Sequence, residues 1–133
     1  MITAVDTSAL LAVLKDEPDG PAWVELLIAA RQEGPLVACE IVAAEVAPAF
    51  PTLAAMTQAL RKLGVGLVPS SLECAWLAGQ VFLGYRAQGG PRQHLIPDFL
   101  IAAHAQVNAD QLAAHDRGYL RRYFPRLKVI RPA

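Results

Sequence analysis

Little in this sequence is charged. Of its 133 residues 18% are Asp, Glu, Lys or Arg, and twelve acids balance twelve bases. With 54% hydrophobic residues, the chain lacks the low hydropathy and high net charge that keep a chain disordered. Cysteine is scarce too: Cys39 and Cys74 stand far apart, outside any C-x-x-C. Neither a disulfide scaffold nor a zinc site is expected, and a reducing, cytoplasmic setting is. No apolar run approaches the ~18 residues that span a bilayer, so no membrane association is expected. The opening Met1-Ile2-Thr3-Ala4-Val5-Asp6 has no basic region and meets an acid at its sixth residue, unlike a secretory leader. Repeats, low-complexity tracts and linkers are missing as well. The length suits one domain over residues 1–133.

The zero net charge conceals an asymmetry. Residues 1–60 carry eight acids and two bases, whereas residues 61–133 carry ten bases and four acids. Six of the twelve bases, Arg117, Arg121, Arg122, Arg126, Lys128 and Arg131, fall after the last acid. Such an end is either a solvated surface or a contact for a polyanion.

Short apolar runs alternate with helical patterns. Strands are predicted at residues 2–5, 36–39, 66–68, 111–114 and 128–130. Helices are predicted at 8–14, 21–33, 40–50, from Pro51 to 63, from Ser70 or Ser71 to 87, at 98–108 and at 118–124, with 88–95 a Gly/Pro/Arg loop. Gly64 reads as a helix C-cap, and Ser70-Ser71 with Glu73 resembles a capping box. Strands alternating with helices imply a three-layer α/β/α sandwich around a mainly parallel sheet.

In open α/β sheets the functional crevice lies beyond the carboxyl ends of the strands. Asp6 directly follows the first strand, Asp116 follows the fourth, Asp98 opens an apolar helix, and Glu45 lies among aliphatic neighbours with no base between Arg31 and Arg61. Each has an ordinary reading: Asp6 and Asp98 as helix N-caps, Asp116 as a turn residue, Glu45 as a carboxylate that reaches solvent. If all four converge, their repulsion calls for protonation or a divalent ion. Carboxylates without cysteine or paired histidine favour Mg²⁺ or Mn²⁺. His94, His104 and His115 have no metal-ligand spacing, and His104 among small residues reads as a satisfied structural histidine.

Four segments carry a resemblance. Val5-Asp6-Thr7-Ser8-Ala9-Leu10 resembles the opening signature of the PIN-domain ribonucleases, and Ile41-Val42-Ala43-Ala44-Glu45-Val46 their second motif. Pro97-Asp98-Phe99-Leu100-Ile101-Ala102-Ala103-His104-Ala105 is similar to the third and Asp116-Arg117-Gly118-Tyr119 to the fourth. The ending Arg121-Arg122-Tyr123-Phe124-Pro125 resembles that of the VapC toxins, the PIN-domain half of toxin–antitoxin pairs. The resemblance spans the whole chain, with the motifs in order. It implies a PIN-like fold, Mg²⁺- or Mn²⁺-dependent endoribonuclease activity, and Asp6, Glu45, Asp98 and Asp116 as the catalytic, metal-binding acids, with Ser8 supporting the first. The chain departs from the pattern at Ala114, where the family usually has Thr or Ser, and after Asp116, where many relatives carry a further acid. Glu40 falls one turn early for the second motif and reads as a first-turn helix acid.

The resemblance also implies an antitoxin partner of VapB type and a homodimer. A groove for the antitoxin is expected between the helices at 21–33 and 51–63, using Trp23, Leu26, Leu27 and Leu53. RNA is expected to meet Arg117 and Arg121, with Arg86 and Arg92 on the loop before Asp98 lining the other side. Tyr119 and Tyr123 either stack on bases or pack against the sheet. Two rival readings are a Mg²⁺-dependent phosphoryl-transfer domain and a catalytically inactive PIN-fold interaction module. Against the first, Ser8 stands where dehalogenase-like enzymes carry the second Asp of Asp-x-Asp; against the second, none of the four acids is lost.

Overall fold

The structure, a computed structural model, describes residues 1–90, 96–115 and 118–133, Tyr119 through its backbone alone. Five short strands alternate with helices: β1 (Thr3–Val5), α1 (Thr7–Leu14), α2 (Gly20–Glu33), β2 (Leu36–Ala38), α3 (Glu40–Val46), α4 (Leu53–Leu63), β3 (Val65–Leu67), α5 (Leu72–Ala87), α6 (Ile96–Asn108), β4 (Gln111–Ala113), α7 (Tyr119–Tyr123) and β5 (Val129–Ile130). A 3-10 turn, Ala47–Ala49, follows α3.

All five strands are parallel, in the order β3-β2-β1-β4-β5. Thr3 is level with Leu36 on one side and with Gln111 on the other. β1, β2 and β4 are buried along their whole length, as strands of a sheet covered on both faces should be. The polar Thr3 and Gln111 at the start of β1 and β4 satisfy each other, the Gln111 amide donating to the Thr3 hydroxyl at 2.8 Å. From β1 the chain steps outward through β2 to β3, then crosses to β4 on the opposite side of β1. That reversal opens a crevice at the carboxyl ends of β1 and β4.

Local chemistry explains the helix limits. The helix predicted over 40–50 ends at Val46, because Pro48 has no N–H to continue the ladder and the chain tightens to a 3-10 turn. α6 begins at Ile96 rather than at Asp98, since Pro97 is tolerated in a first turn whose N–H groups have no helical acceptor. Asp98 is therefore a first-turn acid and not an N-cap. α5 is capped by Ser71, which accepts from the Cys74 N–H at 3.3 Å. Counted from Ser71 the third residue is Cys74, so Glu73 is one place short and the capping box does not form.

The core holds Trp23, Leu10, Leu36 and Leu112 together with an aromatic cluster joining α5, α6 and the end of α7: Phe82, Tyr85, Phe99, Tyr123 and Phe124. Both cysteines are free and buried. Burial pushes the Cys39 thiol above its usual range, so it stays protonated and inert. Among the described residues no helix is long and apolar enough to cross a membrane.

Candidate functional site

The crevice at the reversal point is built from the first turn after β1. Asp6 leaves the strand in an extended conformation, its N–H bonded to the Ala113 carbonyl at 2.9 Å. Its Oδ2 accepts from the Ser8 N–H at 3.1 Å and from the Ser8 hydroxyl at 2.6 Å. Asp6 is thus the N-cap of α1, and the same capping bonds hold its carboxylate at the mouth of the crevice. The two sequence readings of this residue are compatible. The Ser8 Oγ also accepts from the His115 N–H at 3.1 Å, tying the turn after β1 to the segment that leaves β4.

Asp6, Thr7, Ser8, Glu45, Asp98 and His115 line a cleft of about 260 Å³, with Leu11, Ile101, Leu112 and Leu120 as its apolar lining. Three of the four predicted acids, from β1, α3 and α6, therefore reach one space. No Lys or Arg is among its described lining residues. Asp116 lies outside the described residues, as do Arg117, Arg92 and His94. Among the described residues no three His, Cys, Asp or Glu side chains are arranged to hold one metal ion together. The donor chemistry nevertheless suits a hard divalent cation: carboxylate oxygens from three elements and no thiolate among the described lining residues.

Glu45 projects from the exposed side of α3. The Thr7 hydroxyl donates to its Oε1 at 2.6 Å, across 38 residues of sequence. The sequence reading gave Thr7 no part of its own. The one available signal was its place between two other polar residues in Asp6-Thr7-Ser8, in an otherwise apolar segment.

Glu40 is absent from the cleft lining and is occupied elsewhere, accepting from the Ser70 N–H at 3.0 Å and its hydroxyl at 2.7 Å. The Ser70 hydroxyl bond is the main reason its carboxyl is held below the usual glutamate range. Beside it, His104 is fully buried and its Nε2 lies 2.6 Å from the Val68 carbonyl oxygen. A carbonyl only accepts, so Nε2 carries the proton. Nδ1 is buried without a hydrogen-bond partner, so this structural histidine is satisfied at one nitrogen rather than two. Burial lowers its pKa, against the opposing pull of the Val68 carbonyl and the Glu40 charge.

Several expected contacts are corrected. Of the two readings open for Tyr123, packing is the one the structure shows: its ring meets Tyr85 edge-on and Phe99 at a tilt, with centroid distances of 5.4 and 5.7 Å. Arg86 is in the last turn of α5 rather than on the following loop, and its Nη1 bonds the Gly90 carbonyl at 2.7 Å. Arg122 bonds Gln88 at 2.8 Å and lies over the Tyr123 ring. Arg121 is exposed on α7. Of the four residues expected to line the antitoxin groove, Trp23 and Leu27 are buried in the core. Their helical spacing marked an inward face, and periodicity alone does not say whether such a face meets the sheet or a partner. Leu26 is partly buried, and Leu53 is 79% exposed.

The fold is shared with solved structures along nearly their whole length. The VapBC2 complex of Rickettsia felis bound to promoter DNA contains a chain 19% identical, with a TM-score of 0.75 over 100% of both chains. VapBC-1 of nontypeable Haemophilus influenzae matches at 22% identity and a TM-score of 0.70, covering 98% of each chain. DNA-bound VapBC of Salmonella typhimurium matches at 16% and 0.67, again over 98% of each. No curated protein sequence matches the chain. A family model for the PIN domain aligns with residues 3–125, from the first residue of β1 to just beyond α7, and the chain belongs to the PIN domain family.

Proposed function

We propose that this protein is a metal-dependent endoribonuclease and the toxin of a VapBC-type toxin–antitoxin pair. One observation carries the reading: Asp6, Glu45 and Asp98 reach a single cleft at the carboxyl edge of a parallel sheet. Acids gathered in this way repel one another and a phosphate equally, which makes sense for a site that works with a divalent cation. Asp6, Asp98 and Asp116 would hold Mg²⁺ or Mn²⁺, with Glu45 as a further ligand or as the acceptor of a proton from the attacking water. Such an ion, when bound, supplies Lewis-acid polarisation of a phosphoryl oxygen and acidifies water. Ser8 holds Oδ2 of Asp6, so the carboxylate keeps one orientation. In-line attack by water needs no covalent enzyme intermediate.

The toxin assignment rests on the likeness of the fold to chains of three VapBC complexes. That likeness supports a VapB-type antitoxin as partner; a homodimer, a cytoplasmic location and a single domain over residues 1–133 are proposed with it on the resemblance of the motifs. RNA would be met by Arg121, Arg117 and Arg92. Arg86, engaged by Gly90, could contribute only through its remaining donors.

The test is cleavage of labelled RNA by the purified chain with Mg²⁺ or Mn²⁺ and with EDTA. Asp6→Asn keeps an N-cap of equal quality, so the variant should fold and yet lose cleavage by about a hundredfold or more. Glu45→Gln should lose activity similarly, and Glu40→Gln should keep it. RNA cleavage indifferent to EDTA and to both site substitutions would overturn the metal dependence and the assignment of the site to this cleft. RNA binding without any cleavage would return the chain to an interaction module.

A further inference from the structure

We infer that Thr7 is a positioning residue whose hydroxyl holds the Glu45 carboxylate in the cleft, ready to meet a divalent cation; this rests on the metal-dependent reading above. Glu45 is the exposed one of the three gathered acids, while Asp6 and Asp98 are partly buried. A flexible side chain on the outer side of α3, facing two other carboxylates, would swing toward solvent to escape their repulsion. The Thr7 hydroxyl opposes that swing. It donates to Oε1 at 2.6 Å, the short distance of a bond to an ionised acceptor.

Thr7 can do this because of where the chain places it. It is the first residue of α1, fixed between Asp6, which is bonded to β4 through its backbone, and Ser8, whose hydroxyl bridges Asp6 and His115. A donor on so firmly held a turn costs little ordering when Glu45 docks on it. Two consecutive hydroxyls thus serve two acids: Ser8 orients Asp6 within the same turn, and Thr7 reaches across to orient Glu45 on another helix. Residues that hydrogen-bond a metal ligand set its orientation, and their loss typically weakens metal binding by about 10- to 100-fold.

Calorimetric titration of Mn²⁺ into the full chain tests this apart from catalysis. Thr7→Val, which keeps the shape and removes the donor, should weaken Mn²⁺ binding by about 10- to 100-fold. Thr7→Ser should restore it. Introduced on top of Glu45→Gln, Thr7→Val should cause little further loss, because its effect passes through that carboxylate. Thr7→Ala, with no β-branch in the first turn of α1, provides the same comparison should the valine variant fold poorly. Wild-type affinity in folded Thr7→Val or Thr7→Ala, or full additivity with Glu45→Gln, would overturn the inference while leaving the nuclease reading intact. Absence of Mn²⁺ binding by the unaltered chain would overturn both.

Discussion

At the scale of single residues, backbone geometry makes its own demands beside those of the acids. Gly64 ends α4 with φ +77°, a left-handed conformation that costs a residue with a side chain about 1–2 kcal/mol. Its N–H bonds the Arg61 carbonyl at 3.0 Å, and the Arg31 guanidinium lies where a β-carbon would go. Gly64→Ala is therefore expected to lower unfolding free energy by roughly 1–2 kcal/mol in a urea titration, with Arg31 displaced. A change below about 0.5 kcal/mol, typical of an ordinary surface site, would show that this turn relaxes freely. Gly34 is constrained for a different reason. Its backbone is extended, but a β-carbon there would strike the Met1 carbonyl, beside the bond from the Met1 amine to the Glu33 carbonyl.

At the scale of elements, serines at the start of α1 and α5 do different work. Ser8 supports the cleft, whereas Ser71 caps α5 and Ser70 next to it clamps Glu40 at the start of α3. Ser71→Ala should cost about 1 kcal/mol of stability, read as a lowered urea midpoint with unchanged slope. Glu73→Gln should cost only a few tenths, since Glu73 forms no capping box and contributes through the helix dipole alone. Equal losses in the two variants would restore the box that the sequence suggests. The same region shows how far local patterns reach. A hydroxyl cap followed by a helix was legible to within one residue, but which of two adjacent serines caps depends on Glu40, 30 residues earlier, claiming Ser70.

Across the whole molecule, the joint between α3, the end of β3 and α6 makes stability depend on pH. His104 is fully buried, and burial is the chief cause that lowers its pKa. The unfolded chain binds its proton more readily, so this contribution is complete above about pH 6.5 and is lost as pH falls below that value. Glu40, with its carboxyl lowered by Ser70, acts in the same direction at lower pH: its contribution is present above the ordinary glutamate range and fades as the group protonates. The melting temperature should therefore fall between pH 7.5 and 5. Imidazole NMR should find His104 titrating below the usual histidine range, its neutral ring protonated on Nε2. A His104 ring that titrates at or above 6.5 would contradict this account.

Much was legible in the order of residues alone. Alternating apolar runs and helical periods, Gly64 and the hydroxyl caps are local signals, and local backbone preference is what they encode. The parallel α/β layout and the element order were thus readable from the sequence, and so were the three acids that the structure brings together. Asp6, Asp98 and Glu45 stood out because an acid in an apolar run needs a reason. What only the tertiary structure decided involves partners distant in sequence: the strand order with β1 at its centre, the Thr7–Glu45 bond, and the turning of Tyr123 into the aromatic cluster and of Trp23 into the core. Periodicity identifies an apolar face without naming what covers it. A hydroxyl 38 residues from a carboxylate leaves no pattern at all in the chain, because their meeting depends on how α1 and α3 pack on the same sheet.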